Sequence, residues 1–318
     1  MANLLLDKKD LAILQQLDLN VRASCTQIGK KARLSKEVVQ YRIKQLEKNK
    51  VITDYWAIPS IKNNTSVYKL LIKNKSLGIM QRKEFIEFIT SQKATSWAAT
   101  TEGQWDFVIT SYVQKENDFY EFLNKLLVRF GRYFSEKNIL RAVSAIVLNE
   151  KYLHQDKERI IKEEDNFLGE EIQKDDVDSE IIKALSDNSR ITFTEIGKKV
   201  KLTPEAIAYR YKLLMKKKLI TSMKVRINHE KLGLSYYHLF LSLNSYEKKE
   251  EIKNYYIMHP NCVFIMEHMG FYDIHLELVV PESEVQKIVE ELSEKFGNEI
   301  SRYELIRIRK EHIINVMR

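Results

Sequence analysis

The chain repeats itself. The run from Asp7 to Thr53 returns as Asp175 to Thr221, displaced by 168 residues throughout (175 − 7), without insertion or deletion. A duplication of this length constrains the fold more than any single motif, because both copies must fill the same plan. Its most informative part is Leu34-Ser35-Lys36-Glu37-Val38-Val39-Gln40-Tyr41-Arg42-Ile43-Lys44-Gln45-Leu46-Glu47-Lys48. Ser35 reads as a helix N-cap, since its hydroxyl can accept from an amide one turn on. Val39, Ile43 and Leu46 then form one apolar stripe, and at about 100° per residue Glu37, Tyr41, Lys44 and Lys48 face the other way. In the second copy the stripe is Ile207, Tyr211 and Leu214, while the outward set returns unchanged as Glu205, Tyr209, Lys212 and Lys216. A solvated face need only stay polar. An identical outward set on two diverged copies implies that both faces meet the same kind of partner, and a cationic face with one aromatic suits nucleic acid.

The flanking residues complete a motif. Asp7 caps a first helix with Leu11, Leu14 and Leu17 inward, and Ser24 caps a second with Ile28 inward. A tight connection through Ala32-Arg33-Leu34 leads into the third helix. Helix, helix, short turn, helix is a helix-turn-helix, whose last helix enters the major groove. Val51 to Ile58 alternates like a strand and Pro59 ends it; Lys62-Asn63-Asn64 reads as a hinge.

Beyond it the period changes. Strands are expected at 67–72, 94–101, 105–113 and 139–148, with helices at 82–91 and 117–130. The second half repeats the order with strands at 236–243, 261–268, 271–280 and 300–308 and helices at 250–258 and 282–296. The order βαββαβ predicts a ferredoxin-like arrangement. The predicted class is therefore α+β, with two winged helix-turn-helix domains (1–60 and 175–230) alternating with two βαββαβ domains (66–150 and 234–318). Residues 151–174, rich in Lys and acidic side chains, read as an acidic linker that starts helical and is otherwise solvated.

Composition narrows the partners. The net charge of +8 and pI near 9.1 favour a polyanion, here double-stranded DNA. The two cysteines, Cys25 and Cys262, occupy non-equivalent places, so neither a disulfide framework nor a paired-cysteine metal motif is expected. The N-terminus lacks a signal-peptide pattern and no apolar run approaches membrane length, which predicts no membrane partner and a cytoplasmic location. No nucleophile elbow, P-loop or dinucleotide fingerprint is visible, so no enzyme and no cofactor are expected. Cys262, His268 and His275 fall on neighbouring expected strands without metal-ligand spacing, and the reading is no metal.

These residues resemble the Lrp/AsnC ("feast/famine") family of transcriptional regulators. The matching pieces are Asp7-x-x-Asp10-x-x-Ile13-Leu14, Ile28-Gly29-x-x-Ala32-x-Leu34-Ser35, Tyr41-Arg42-Ile43-x-x-Leu46-Glu47 and Val51-Ile52. The second copy offers Asp175, Asp178, Ile181-Ile182, Ile196-Gly197, Leu202-Thr203, Tyr209-Arg210, Leu214 and Leu219-Ile220. The family's glycine-aspartate turn is matched by Gly103-Gln104-Trp105-Asp106 and Gly270-Phe271-Tyr272-Asp273. The departure is the fusion of two copies in one chain, where common members carry one and pair as dimers. The sheet domains are accordingly expected to pair within the chain or in a homo-oligomer.

The candidate residues follow. Lys30, Lys31, Lys44, Lys48, Lys198, Lys199, Lys212 and Lys216 are phosphate contacts, which position without specifying sequence. Ser35, Tyr41, Thr203 and Tyr209 join the DNA-facing set. Lys36 and Gln40 are placed to read base edges, whereas their counterparts Pro204 and Ala208 cannot. Arg42 and Arg210 lie beside the apolar stripe, where a phosphate contact and an internal ion pair are equally open. Gly103 and Gly270 are expected at positive φ in hairpin turns. The resemblance implies an amino-acid effector near these turns, with Asp106 or Asp273 holding an α-amino group, Thr100 or Thr101 a carboxylate, and Tyr272 nearby; an aspartate capping backbone amides explains the same letters. A second class stays open, since siroheme decarboxylases resemble the same two-domain plan. Such an enzyme calls for a His- and Arg-rich substrate site, and a bound tetrapyrrole would show in the absorption spectrum.

Overall fold

The computed structural model describes residues 6–60, 65–154, 160–167 and 172–314. In chain order the elements are α1 (Lys8–Leu19), α2 (Cys25–Ala32), α3 (Lys36–Lys48), β1 (Ile52–Pro59), β2 (Ser66–Asn74), α4 (Ile79–Ser91), β3 (Thr95–Glu102), β4 (Phe107–Val113), α5 (Glu116–Phe130), β5 (Phe134–Leu148) and β6 (Ile161–Asn166). The second half continues with α6 (Asp176–Asp187), α7 (Phe193–Val200), α8 (Pro204–Lys216), β7 (Ile220–Ile227), β8 (Ser235–Leu243), α9 (Lys249–Met258), β9 (Cys262–Met269), β10 (Ile274–Val280), α10 (Val285–Phe296) and β11 (Ile300–Ile314). The chain folds into two units that cut across the duplication. One gathers Met1–Ser60, Val147–Glu163 and Ile172–Leu234; the other gathers Ile61–Ile146, Glu164–Glu171 and Ser235–Arg318.

The first unit holds both helix-turn-helix heads. Each first and second helix opens on a reciprocal cap: Asp7 with Asp10, Ser24 with Gln27, Asp175 with Asp178 and Thr192 with Glu195. Such boxes satisfy amides that a helix start leaves without partners. Ile13, Leu14, Leu17, Ile28, Val39, Ile43 and Leu46 converge in the first head's core. A Cβ on Gly29 or Gly197 would overlap the Leu34 or Leu202 carbonyl, so the tight turn into each third helix requires glycine.

The two heads of this unit exchange matched contacts. β1 pairs antiparallel with β7, Tyr55 opposite Val225 and Ala57 opposite Met223. Arg22 donates to the Ser189 and Ile191 carbonyls and lies 4.6 Å from the Phe193 ring centre. Arg190, its counterpart 168 residues on, donates to the Val21 and Ala23 carbonyls and lies 5.4 Å from the Tyr55 ring centre. Each arginine thus reaches the carbonyls on either side of the other, the signature of an approximate two-fold axis.

The seam departs from the expected solvated linker. Lys151–Leu153 is a single 3₁₀ turn rather than a longer helix, and Leu153 is buried in the first head's core. Asp18, fully buried, accepts from the Glu150 amide and from His154 Nε2, both at 2.9 Å. The apolar pair Tyr152-Leu153 inside a charged stretch is what docks this segment. Residues 155–159 and 168–171, and the hinge expected at Lys62-Asn63-Asn64, lie outside the described residues.

In the second unit each half has the strand order of a ferredoxin-like sheet, β5-β2-β4-β3 and β11-β8-β10-β9. β3 pairs with β11 and β9 neighbours β5, so eight strands close into a barrel-like ring, with β6 beside β5. The long strands make the closure: Ile300 to Arg307 of β11 pairs with β8, and Arg307 to Ile314 pairs with β3. This is why β5 and β11 run to fifteen residues each, past the ends expected from the sequence. Closure removes free edges that would otherwise pair with other chains. Helix-facing residues such as Leu70, Ile72, Phe85, Ile109, Phe122 and Leu126 form one core. Leu71, Trp105, Val108, Leu140, Phe240, Tyr272 and Ile306 form another between the sheets.

Glu267 on β9 ties α9 to the sheet. Its carboxylate takes Lys249, Lys253 (2.6 Å) and the Ser144 hydroxyl (2.9 Å). Burial alone would raise its pKa, but these donors outweigh burial and hold it at about 2. A folded-state value below the ordinary 4.5 stabilises the fold above that pH and ceases to do so as pH falls toward 2. Glu267→Gln should therefore lower the unfolding free energy at pH 7 by about 1–3 kcal/mol. It should also flatten the stability loss between pH 4.5 and 2, read by urea unfolding across that range.

Candidate nucleic-acid interface

The third helix of each head presents the repeated set to solvent. Tyr41 and Tyr209 are 64% and 65% exposed, and Glu37, Lys44, Lys48, Glu205, Lys212 and Lys216 are exposed with them. Lys30, Lys31, Lys198 and Lys199, in the last turns of α2 and α7, are exposed too. Cations there also offset the partial negative charge of a helix C-terminus. Ser35 and Thr203 accept from the Val38 and Ala206 amides, each at 3.3 Å, so both hydroxyls are helix caps as well as members of the surface. Lys36 and Gln40 are exposed near the start of α3, while Pro204 and Ala208 are half-buried at the matching places on α8.

Arg42 and Arg210 are committed inward. Arg42 Nη1 meets Asp7 at 2.9 Å and Asp10 at 2.8 Å; Arg210 Nη1 meets Asp175 at 2.8 Å and Asp178 at 2.7 Å. The Asp10 amide, and beside it Arg42, hold Asp7 below the usual carboxylate range, and the Asp178 amide and Arg210 do the same for Asp175. Of the two readings open for these arginines, the ion pair is the one formed. It fastens the third helix to the start of the first helix, using both acidic residues of the capping box.

The glycine-aspartate turns hold as turns. Gly103 and Gly270 sit at φ +132° and +140°. A Cβ on Gly103 would lie 2.9 Å from the Leu305 carbonyl oxygen, and one on Gly270 would lie 3.1 Å from that of Ile139, so each turn packs on the long strand of the opposite half. Asp106 accepts from the Asn74 amide and Asp273 from the Leu243 amide, each at 2.7 Å. Asp273 also accepts from the Tyr246 hydroxyl. The Thr101 hydroxyl donates to the Trp105 carbonyl at 2.6 Å, Thr100 is hydrogen-bonded to His312, and the buried Tyr272 hydroxyl accepts from Trp105 Nε1 at 3.2 Å. The groups expected to receive an effector are thus engaged by the fold itself.

Sequence reading named His268 and His275 but missed the residues that join them in a cluster between the two sheets. His238, His268 and His275 are all buried there, with Lys69 and Glu277. The signal was present as His275-x-Glu277, since alternate residues of a strand share a face. What was lacking was the register that sets His238 opposite Glu277.

The model of the AsnC-type helix-turn-helix domain matches residues 6–47 and 175–215. The HTH-type transcriptional regulator LrpA of Bacillus subtilis is 39% identical over 69 residues, 22% of this chain and 50% of that protein, so the chain spans half the length of that relative. An uncharacterized HTH-type transcriptional regulator of Pyrococcus furiosus is 26% identical over 144 residues, 42% of this chain and 97% of that one. Among solved structures, the siroheme decarboxylase NirDL superposes with a TM-score of 0.64, covering 98% of this chain and 94% of its own, at 11% identity. That likeness is one of fold. The chain is a duplicated α+β helix-turn-helix protein. Each half carries an AsnC-type helix-turn-helix domain.

Arg42→Ala and Lys44→Ala separate the two kinds of cation. Arg42→Ala should lower the stability of the helix-turn-helix unit and leave the salt dependence of DNA binding unchanged. Lys44→Ala should leave stability within about 0.5 kcal/mol and reduce the slope of log K against log salt by about 0.9. Denaturant melts and binding isotherms at several salt concentrations give both readings.

Proposed function

We propose that the chain is a DNA-binding transcriptional regulator that uses α3 and α8 as recognition helices. The observation that carries this reading is the outward set of tyrosine and lysines, repeated residue for residue and exposed on both helices. Lys30, Lys31, Lys44 and Lys48, with Lys198, Lys199, Lys212 and Lys216, would neutralise phosphates; Lys36 and Gln40 would read bases. The names of the relatives from Bacillus and Pyrococcus support it. Among the described residues no helix is long and apolar enough to cross a membrane.

The two heads differ where bases are read, and that predicts the form of the operator. Lys and Gln make directional hydrogen bonds, a bidentate pair being worth about 1–3 kcal/mol of discrimination. Pro204 and Ala208 offer only apolar contact, for instance to a thymine methyl. Selection of bound DNA from a random pool should return two half-sites of unequal stringency, the stricter under α3. Gln40→Ala should relax the strict half and leave the other as it was. Two equally strict halves, both indifferent to Gln40→Ala, would refute the assignment of these helices.

The finer reading, an amino-acid effector sensed near Asp106 or Asp273, is supported by the family resemblance. A ligand there would have to compete with the backbone amides both carboxylates already hold. If it binds, it should change DNA affinity by about 1–3 kcal/mol and DNA should change its affinity equally. Thermal-shift screening with amino acids, repeated with DNA present, measures this. Absence of any shift in a protein that still binds DNA would leave the sheets a purely architectural role.

A further inference from the structure

The interior of the second unit contains a polar group of a kind that a barrel core does not require. His238 on β8 and His275 and Glu277 on β10 share one face, His238 directly opposite Glu277 in the antiparallel register. His238 Nε2 lies 3.7 Å from Glu277 Oε1, and the His238 and His275 ring centres are 4.4 Å apart. One nitrogen or oxygen from each of the three residues lies within 4.8 Å of the others. A point central to three atoms so spaced is within about 2.8 Å of each, a small adjustment from the roughly 2.0–2.2 Å of zinc–nitrogen and zinc–oxygen bonds.

The two histidines bring uncommitted nitrogens to this point. Both His238 nitrogens and His275 Nε2 are buried and make no hydrogen bond. A buried polar atom left so costs about 1–3 kcal/mol, more than a fold tolerates at several neighbouring positions without return. Tyr236 donates to Glu277 Oε2, which orients the carboxylate and leaves Oε1 toward His238, the kind of outer contact that metal ligands carry.

The duplication supplies an internal control. Asp106 and Asp273 cap the amides of Asn74 and Leu243, which aligns β2 with β8 and β4 with β10. On that alignment Lys69, Val108 and Thr110 stand where the second half has His238, His275 and Glu277. The same fold is built there without the histidines or the carboxylate, so closing the ring does not explain them.

We propose that His238, His275 and Glu277 form a binding site for one divalent transition-metal ion of the zinc class. Two imidazoles and a carboxylate are a borderline-soft donor set that selects such ions over magnesium or calcium. His268, 5.9 Å from His275 between ring centres and with both nitrogens free of hydrogen bonds, is the next nearest imidazole of the cluster. One amine already stands beside the site. The Lys69 ammonium reaches in to 3.2 Å from His275 Nδ1 and stands 5.8 Å and 6.0 Å from the Trp97 and Phe240 ring centres. Lys69 is thus a resident cation that an incoming ion must displace along its flexible stem. The site does not rest on the DNA-binding reading, and metal uptake is measured without DNA.

The test uses the full chain, stripped with chelator and titrated with Zn²⁺ by calorimetry and with Co²⁺ by visible absorption. One equivalent should bind, with Co²⁺ giving ligand-field bands of a low-coordinate nitrogen and oxygen site. Glu277→Gln and His275→Phe should each weaken binding more than about tenfold, with circular dichroism confirming the fold. Glu277→Gln is nearly isosteric and carries the test if His275→Phe unfolds. Lys69→Met, which removes the competing charge, should tighten binding. No stoichiometric uptake would overturn the proposal. So would uptake equal in Glu277→Gln and the parent chain, which would place the ion on surface residues, or weaker binding by Lys69→Met.

Discussion

A ferredoxin-like sheet has helices on one face only, and its other face must be covered. Here each half covers the other. Phe240, Tyr272 and Ile306 from one half and Leu71, Trp105, Val108 and Leu140 from the other share one core, which neither could bury alone. At about 25 cal/mol per Å² of apolar surface removed from water, each large side chain in that layer contributes on the order of 2 kcal/mol. The fifteen-residue strands β5 and β11 exist because they must pair with both sheets, and Gly103 and Gly270 exist because each turn packs against the opposing long strand. Joining the halves covalently turns an association between chains into one within a chain, at an effective concentration set by the intervening residues.

Much of this was legible because it is written in local periodicity. Asp7, Ser24 and Ser35 cap helices, and Val39, Ile43 and Leu46 face inward, as their spacing requires. The strand order within each half followed from the βαββαβ pattern. What periodicity cannot carry is partnership between distant residues. The pairing of β1 with β7, the reciprocal reach of Arg22 and Arg190, and the joining of β3 to β11 depend on which surfaces meet. The seam shows the limit most directly. Charge density marked 151–174 as solvated, yet Leu153 enters a core and Asp18 is buried against its backbone and His154. Two residues outweighed the composition of the rest.

The DNA-facing candidates divide by the same logic. Lysines on an outward face are read correctly as exposed, because exposure follows from helical phase. Arg42 and Arg210 were left open because a residue at the stripe's edge can turn either way, and only the position of the first helix brings Asp7, Asp10, Asp175 and Asp178 within reach. The threonines and aspartates at the glycine turns show the complementary case. Residues chosen for hydrogen-bonding capacity were found using it on the fold.

Duplication within one chain has a further consequence. In a symmetric homodimer any substitution appears twice, so a group placed near the axis meets its own copy. Fusion lifts that restriction. The heads keep their outward-facing lysines and differ at Lys36 and Gln40 against Pro204 and Ala208. The interior keeps its closure and differs at Lys69, Val108 and Thr110 against His238, His275 and Glu277. A symmetric pair of chains would place two histidine clusters, or two buried lysines, inside one barrel. Two buried ammonium groups would repel without a carboxylate to answer either, and two histidine clusters would lack the cation that now stands beside one. Lysine opposite histidine and glutamate is available only to a barrel whose halves are free to diverge, as the two halves of this chain have at Lys69, Val108 and Thr110 against His238, His275 and Glu277.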